Sequence, residues 1–343
     1  MPDDMWKLRA LEILRLGSNR VSELPRSISC MEHLLELDFQ GNRIHDAFLP
    51  QTVEIFNMAE NPVEMGGPDS IIKNLGDREH AKRITFLDLS GTDLSGFPDN
   101  VCQLRFLVTL KLANNKIDNF PMLLCQRCRH LEHLDLHNNK IPELPITVDL
   151  LHQLQYLDMS HNSITAVPYT LMKLNKVYHL DLSYNYIMDL PETFNRMNHL
   201  VYLDLRNNQL MKFPQEDMHV LASLLLLNLC TNELAEIPED MPYLYRLKTL
   251  NLSSNHLKEL PEDINLMVKL EELDLHDNLL KEVPETIMKM PKISKLDLSD
   301  NRIMHFPMRF DAFSQNREVD ISNQSQYKKH EDEEEDSSLD FTL

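Results

Sequence analysis

Residues 131–145 read L-E-H-L-D-L-H-N-N-K-I-P-E-L-P, and their reading decides the fold. The spine is Leu131, Leu134, Leu136, Asn139 and Ile141, followed by Leu144-Pro145. The same spine returns at Leu154, Leu157, Met159, Asn162, Ile164 and Val167-Pro168, and again at Val177, Leu180, Leu182, Asn185, Ile187 and Leu190-Pro191. A fixed period of this size marks units that stack because none can bury its apolar face alone. Each unit holds one short strand, whose alternate residues point inward. Parallel pairing of successive strands needs a crossover, which the convex half supplies. The expected fold is an α/β solenoid, a horseshoe with a parallel sheet on its concave face and short helical or 3-10 segments on its convex face.

Asparagines in the Asn139 position recur at Asn19, Asn42 and Asn61, then from Asn115 to Asn301, with Thr92 in the fourth place. This gives about 13 repeats, and Val319, Ile321 and Asn323 look like a worn fourteenth. From Thr92 onward the step is 23 or 24 residues; before it the steps are 23, 19 and 31. The expected organisation is therefore a repeat domain over residues 1–321, irregular over 1–91 with an insertion at 62–83, and regular over 92–321. Residues 322–343, with the acidic run Glu331 to Asp336, read as a disordered tail. The first residues match the convex half of a repeat, which reads as a fragment or alternative start of a longer chain. All seven glycines lie in the first 96 residues, so nothing after them has glycine's easy access to positive φ.

Composition excludes several functions. Lys and Arg total 34 against 54 Asp and Glu, a net charge of −20, which argues against nucleic acid and anionic membranes. No apolar run is long enough to insert in a membrane. No glycine-rich phosphate loop, nucleophile constellation or cofactor motif stands out, so neither enzyme activity nor a small-molecule substrate is expected. Five scattered cysteines favour a reducing, cytoplasmic location.

The period with L-P-x-x-I on its back, as in Leu24-Pro25-Arg26-Ser27-Ile28 and Leu260-Pro261-Glu262-Asp263-Ile264, resembles one intracellular subclass of leucine-rich repeat proteins. That subclass contains the Shoc-type Ras/MAP-kinase scaffold, the Ras-suppressor protein, Scribble and its polarity relatives, and plant Ras-group-related proteins. The resemblance covers roughly residues 1–321. It implies a non-enzymatic scaffold of intracellular signal transduction, with a protein partner such as a small GTPase or phosphatase on the concave face. It also implies that each spine Asn bonds the backbone of its own and the adjacent repeat, a role Thr92 can fill only in part. The alternatives are the repeat segment of a larger signalling enzyme (kinase, phosphatase or GTPase-containing) and a regulator of type-1 protein phosphatase. The latter is suggested by Arg83-Ile84-Thr85-Phe86, although Ile84 is also a spine residue that folding would hide.

Binding must be sought between the leucines. One column holds Asp135, Asp158, Asp181 and Asp204; two residues earlier come His133, Tyr156, His179 and Tyr202; two residues later come His137, Ser160, Ser183 and Arg206. Strands about 4.8 Å apart would join these into one patch. The Asp column alone reads as a hydrated stripe, but stacked carboxylates call for cationic company. Tyr156 and Tyr202 supply interface anchors, and truncating both is expected to abolish partner capture at little cost in stability. The expected partner-binding residues are His133, Asp135, Tyr156, Asp158, His179, Asp181, Tyr202, Asp204 and Arg206. A metal on His133, Asp135 and His137 is not expected, because the two histidines are about 13 Å apart along a strand. Cys125-Gln126-Arg127-Cys128 reads as two buried thiols. Ser337 and Ser338 could accept phosphate, and Phe341-Thr342-Leu343 loosely fits a PDZ ligand.

Overall fold

The computed structural model describes residues 4–45, 48–63, 73, 75, 82–215 and 217–324. Among these, fourteen three-residue strands, β1 (Ile13–Arg15) to β14 (Glu318–Asp320), form one parallel sheet in chain order. The central residue of each strand is a spine residue, and register pairs spine with spine, as in Leu134 with Leu157, then Leu180, then Leu203. All four are wholly buried, and one continuous apolar core runs between sheet and back. Burial of each such leucine contributes roughly 1.5–3 kcal/mol.

The back is built by proline. Arg26–Cys30, Tyr169–Lys173 and Glu285–Lys289 are 3-10 turns led by Pro25, Pro168 and Pro284. Each proline carbonyl accepts the N–H three residues on, from Ile28, Leu171 and Ile287 at 3.0–3.1 Å. Proline's fixed φ suits this start, and its missing N–H is no loss there. Short α-helices occur at Met122–Arg127 and Phe310–Ser314.

The asparagine ladder closes the turn after each strand. Asn185 Nδ2 lies within 3.1 Å of the carbonyls of Met159, Leu182 and Ser183, and Oδ1 accepts the Ile164 N–H at 2.9 Å. Thr92 donates to the Leu89 carbonyl but to no carbonyl of the preceding repeat, and the Val63 N–H turns instead to Asn61. The worn fourteenth repeat is real, with its ladder residue placed differently from expectation. Gln324, not Asn323, reaches the Leu298 carbonyl (2.8 Å) and accepts the Ile303 N–H (3.0 Å). The repeats thus continue to residue 324, beyond the expected limit of 321.

The missing glycines do not remove the left-handed backbone. The residue before each ladder position has positive φ throughout, from Asn114 (55°) through His161 (52°), Tyr184 (53°) and Thr231 (54°) to Asp300 (53°). Asn, Asp and Ser carry most of these sites, since a short polar side chain tolerates this region. The core of the insertion at 62–83, including Gly66-Gly67-Pro68, lies outside the described residues, as does nearly all of the 322–343 tail with its phosphorylation and PDZ-ligand readings.

Two substitutions test these constraints. Asn185→Ala orphans buried carbonyls and should cost about 2–3 kcal/mol. Thr231→Asn replaces a β-branched residue at a left-handed site and should gain about 0.5–1 kcal/mol. Urea midpoints followed by circular dichroism check both signs.

Candidate partner-binding face

Strands β6 (His133–Asp135), β7 (Tyr156–Asp158), β8 (His179–Asp181) and β9 (Tyr202–Asp204) pair in register, so residues 23 positions apart become neighbours. His133, Tyr156, His179 and Tyr202 stack face to face, with centroid separations of 4.0, 4.3 and 4.1 Å and interplanar angles of 11° or less. The inner faces are covered by neighbouring rings, so an incoming partner meets ring edges and tyrosine hydroxyls. Burial lowers the pKa of His133 and His179, favouring the neutral form that stacks without repulsion. Burial, and then the neighbouring aspartates, push both tyrosines upward. The Tyr156 and Tyr202 hydroxyls donate to Asp158 Oδ2 (3.4 Å) and Asp204 Oδ2 (3.2 Å).

The Asp column is more than a hydrated stripe. In twelve strands the Asp or Asn at this position accepts, through Oδ1, the N–H two residues ahead. This is the local Asx bond that suits these two residue types to the end of a strand. Oδ2 of each aspartate is then aimed away from that bond. Burial, with Asp158 and Asp204 beside it, raises the Asp181 carboxyl to about 6 against the opposing bonds from Ser183. Asp204 is 1% exposed and is also raised by burial, but Arg206 ion-pairs with it (Nε to Oδ2, 3.5 Å) and Asn228 bonds it at 3.4 Å.

Arg206 also lies over the Tyr184 ring at 5.4 Å, and Tyr184 stacks on His161 at 4.0 Å. This second, shorter aromatic stack flanks the patch and was not among the expected residues. It was nonetheless within reach of the repeat pattern, because both residues immediately precede a ladder Asn.

Other motifs resolve simply. His133 is engaged in the ring stack, while His137 turns to Asp135. Cys102, Cys125 and Cys128 are wholly buried, with thiols pushed up to about 12 by burial. Such protonated thiols are poor nucleophiles and poor metal ligands. Ile84 is wholly buried, as expected of a spine residue, while Arg83 is exposed and Phe86 half-buried, so the Arg83–Phe86 motif cannot offer its Ile84 side chain to a partner without unfolding.

The raised Asp181 has a consequence for stability. Its carboxyl ionises near 3.8 without perturbation and near 6 in the fold, so the folded state holds the proton longer. Stability therefore falls as pH rises from about 4 through about 6, and the penalty is complete above that window. Asn in this column accepts the same bond, as Asn228 does from Cys230 at 3.1 Å. Asp181→Asn should stabilise the protein by on the order of 1–2 kcal/mol at pH 7.5, with the gain vanishing near pH 4. Thermal melts across that range check it.

The leucine rich repeat family pattern matches residues 105–164, 163–210, 176–234 and 245–303, and a related leucine rich repeat pattern matches 30–47. A leucine-rich repeat protein of Leptospira interrogans is 27% identical and superposes with a TM-score of 0.84, covering 94% of this chain and 81% of that one. The leucine-rich repeat ectodomain of the Arabidopsis thaliana receptor kinase GASSHO1/SCHENGEN3, solved in complex with Casparian strip integrity factor 2, shares the fold. It is 24% identical, with a TM-score of 0.63 over 94% of this chain and 46% of that one. Mouse keratocan is 29% identical over 167 residues, which make up 41% of this chain and 46% of keratocan. This chain thus spans less than half the length of that relative. Matched by the repeat pattern over more than half its length and folded accordingly, the chain belongs to the leucine-rich repeat family.

Proposed function

We propose that this protein is a non-enzymatic scaffold of intracellular signal transduction, acting in the cytoplasm and holding a protein partner across β6 to β9. The observation that carries this reading is the edge-on stack of His133, Tyr156, His179 and Tyr202, lined by the Asp135–Asp204 carboxylates. Tyrosine, with a broad apolar body and a hydroxyl, is the kind of residue that dominates interface energetics. Leucine-rich repeat proteins generally act by protein–protein contact, and the Arabidopsis ectodomain was solved with such a ligand. A net charge of −20 favours a partner that brings Lys or Arg to this face. Arg206, held between Asp204 and Tyr184, illustrates how the surface accommodates a guanidinium.

The L-P-x-x-I resemblance points to a small GTPase or phosphatase as that partner. The cytoplasmic placement draws support from three cysteines buried as small apolar residues within the core.

The test is affinity capture from cell lysate, followed by pairwise binding with whatever protein is identified. Tyr156→Ala combined with Tyr202→Ala should abolish capture, whereas Glu262→Lys on the convex side should not. Because stacked aromatic pairs contribute about 0.5–1.5 kcal/mol each, the double-alanine variant should also lose some stability. Tyr156→Phe with Tyr202→Phe keeps the rings, so it separates lost hydroxyls from lost packing. Undiminished capture by a folded double-alanine protein would place the interface elsewhere.

A further inference from the structure

The parallel register brings together three donor groups that no local motif would join. Asp135 ends β6, Asp158 ends β7, and His137 stands two residues beyond Asp135. His137 Nδ1 lies 2.8 Å from Asp135 Oδ1 and 3.9 Å from Asp158 Oδ2, and one donor atom from each residue lies within 4.8 Å of the others. We propose that Asp135, His137 and Asp158 form a binding site for a first-row divalent transition ion, with Zn²⁺ as its representative.

The geometry fits such an ion with small adjustments. Donors about 2.1 Å from a tetrahedral ion lie about 3.4 Å apart. The present separations bracket that value, so modest side-chain rotations bring all three donors into range. Both carboxylates are already oriented from behind: Asp135 Oδ1 accepts the His137 N–H (3.1 Å), and Asp158 Oδ1 accepts from Ser160 N (2.9 Å) and Oγ (2.7 Å). Behind the imidazole, Nε2 lies 3.3 Å from the Asn114 amide, which is bonded to Asn138 at 2.8 Å. Turning both amides over keeps their mutual bond and lets Asn114 Oδ1 accept an Nε2 proton. That leaves Nδ1 as the coordinating atom, supported from behind as liganding histidines usually are.

Charge favours occupancy as well. Asp135, Asp158, Asp181 and Asp204 stand in adjacent strands. Lys111, paired in register with Asp135, directs its Nζ to within 5.9 Å of the Phe86 ring centroid on the other side. One nitrogen and two carboxylates suit a borderline transition ion, whereas Ca²⁺ and Mg²⁺ require about six oxygens. Three protein donors leave a fourth tetrahedral position open.

The chain carries its own control. Asp274, His276 and Asp297 repeat the same residue types at the same spacings on β12 (Glu272–Asp274) and β13 (Lys295–Asp297). There His276 Nδ1 turns to Ser299 Oγ (2.9 Å) and Asp300 Oδ2 (3.4 Å). The residue equivalent to Asp300 beside His137 is His161, which has no carboxylate to draw the ring away. Spacing alone does not make the site; the neighbouring side chain decides whether the donors converge.

The test is calorimetric titration of the untagged, chelator-treated full chain with Zn²⁺, in parallel with Ca²⁺ and Mg²⁺. The expected result is one Zn²⁺ per chain, at least tenfold weaker binding in both His137→Ala and Asp158→Asn, and no change in His276→Ala. Ca²⁺ and Mg²⁺ should give no saturable heat at the same concentrations. Asp158→Asn retains the Oδ1 acceptor, so its fold is maintained even if His137→Ala proves unstable. Absence of saturable Zn²⁺ binding at sub-millimolar concentration overturns the proposal. So does binding that survives both variants, or that is lost in His276→Ala instead.

Discussion

One side-chain amide per repeat sets the conditions for everything else in this molecule. A chain that leaves a three-residue strand and turns within a packed core leaves carbonyls with no water to bond. The ladder asparagine satisfies two carbonyls of its own turn and one of the preceding repeat, and it accepts an N–H from that preceding repeat. These bonds demand the same geometry at each step, and so they hold the register constant. Where Thr92 interrupts the ladder, the step that leads to it, 31 residues from Asn61, is the longest in the chain, and regular spacing resumes after it. Where Gln324 replaces Asn, its longer arm reaches the same kinds of partner.

Constant register turns sequence positions into columns. A His or Tyr at one position becomes a stack of rings, and an Asp becomes a file of carboxylates. The carboxylates serve the strand ends by accepting backbone N–H groups, and they also accumulate like charge. Asp181, buried between two others, holds its proton to about pH 6. Asn228 and Asn251 do the same backbone work without charge, so the carboxylates of β6 to β9 exceed what the fold needs. A surface that keeps a destabilising feature where a neutral one would serve is a reasonable place to look for binding.

Much of this was legible in the sequence. The period, the buried spine, the Asn ladder, the 3-10 back and the juxtaposition of His133, Tyr156, His179 and Tyr202 all follow from spacing. What was not legible depends on side-chain torsions and on the neighbouring strand. Spacing does not reveal that the rings stack face to face, leaving only edges for a partner. Nor does it reveal that His137 turns to Asp135, with Asp158 3.9 Å away, while His276, in the same local sequence, turns to Ser299 and Asp300. No residue after 96 has glycine's easy access to positive φ, yet Tyr184 and Thr231 adopt it. There the repeat geometry, fixed by packing and the ladder, overrides local preference.

The function proposed for β6 to β9 depends on where a partner sits. Hydroxyl-radical footprinting of the complex, read out tyrosine by tyrosine, would locate it. Protection of Tyr156 and Tyr202, with Tyr169 and Tyr243 of the convex turns remaining as reactive as in the free protein, is the result this account predicts. Protection of Tyr169 or Tyr243, with Tyr156 and Tyr202 unchanged, would contradict it.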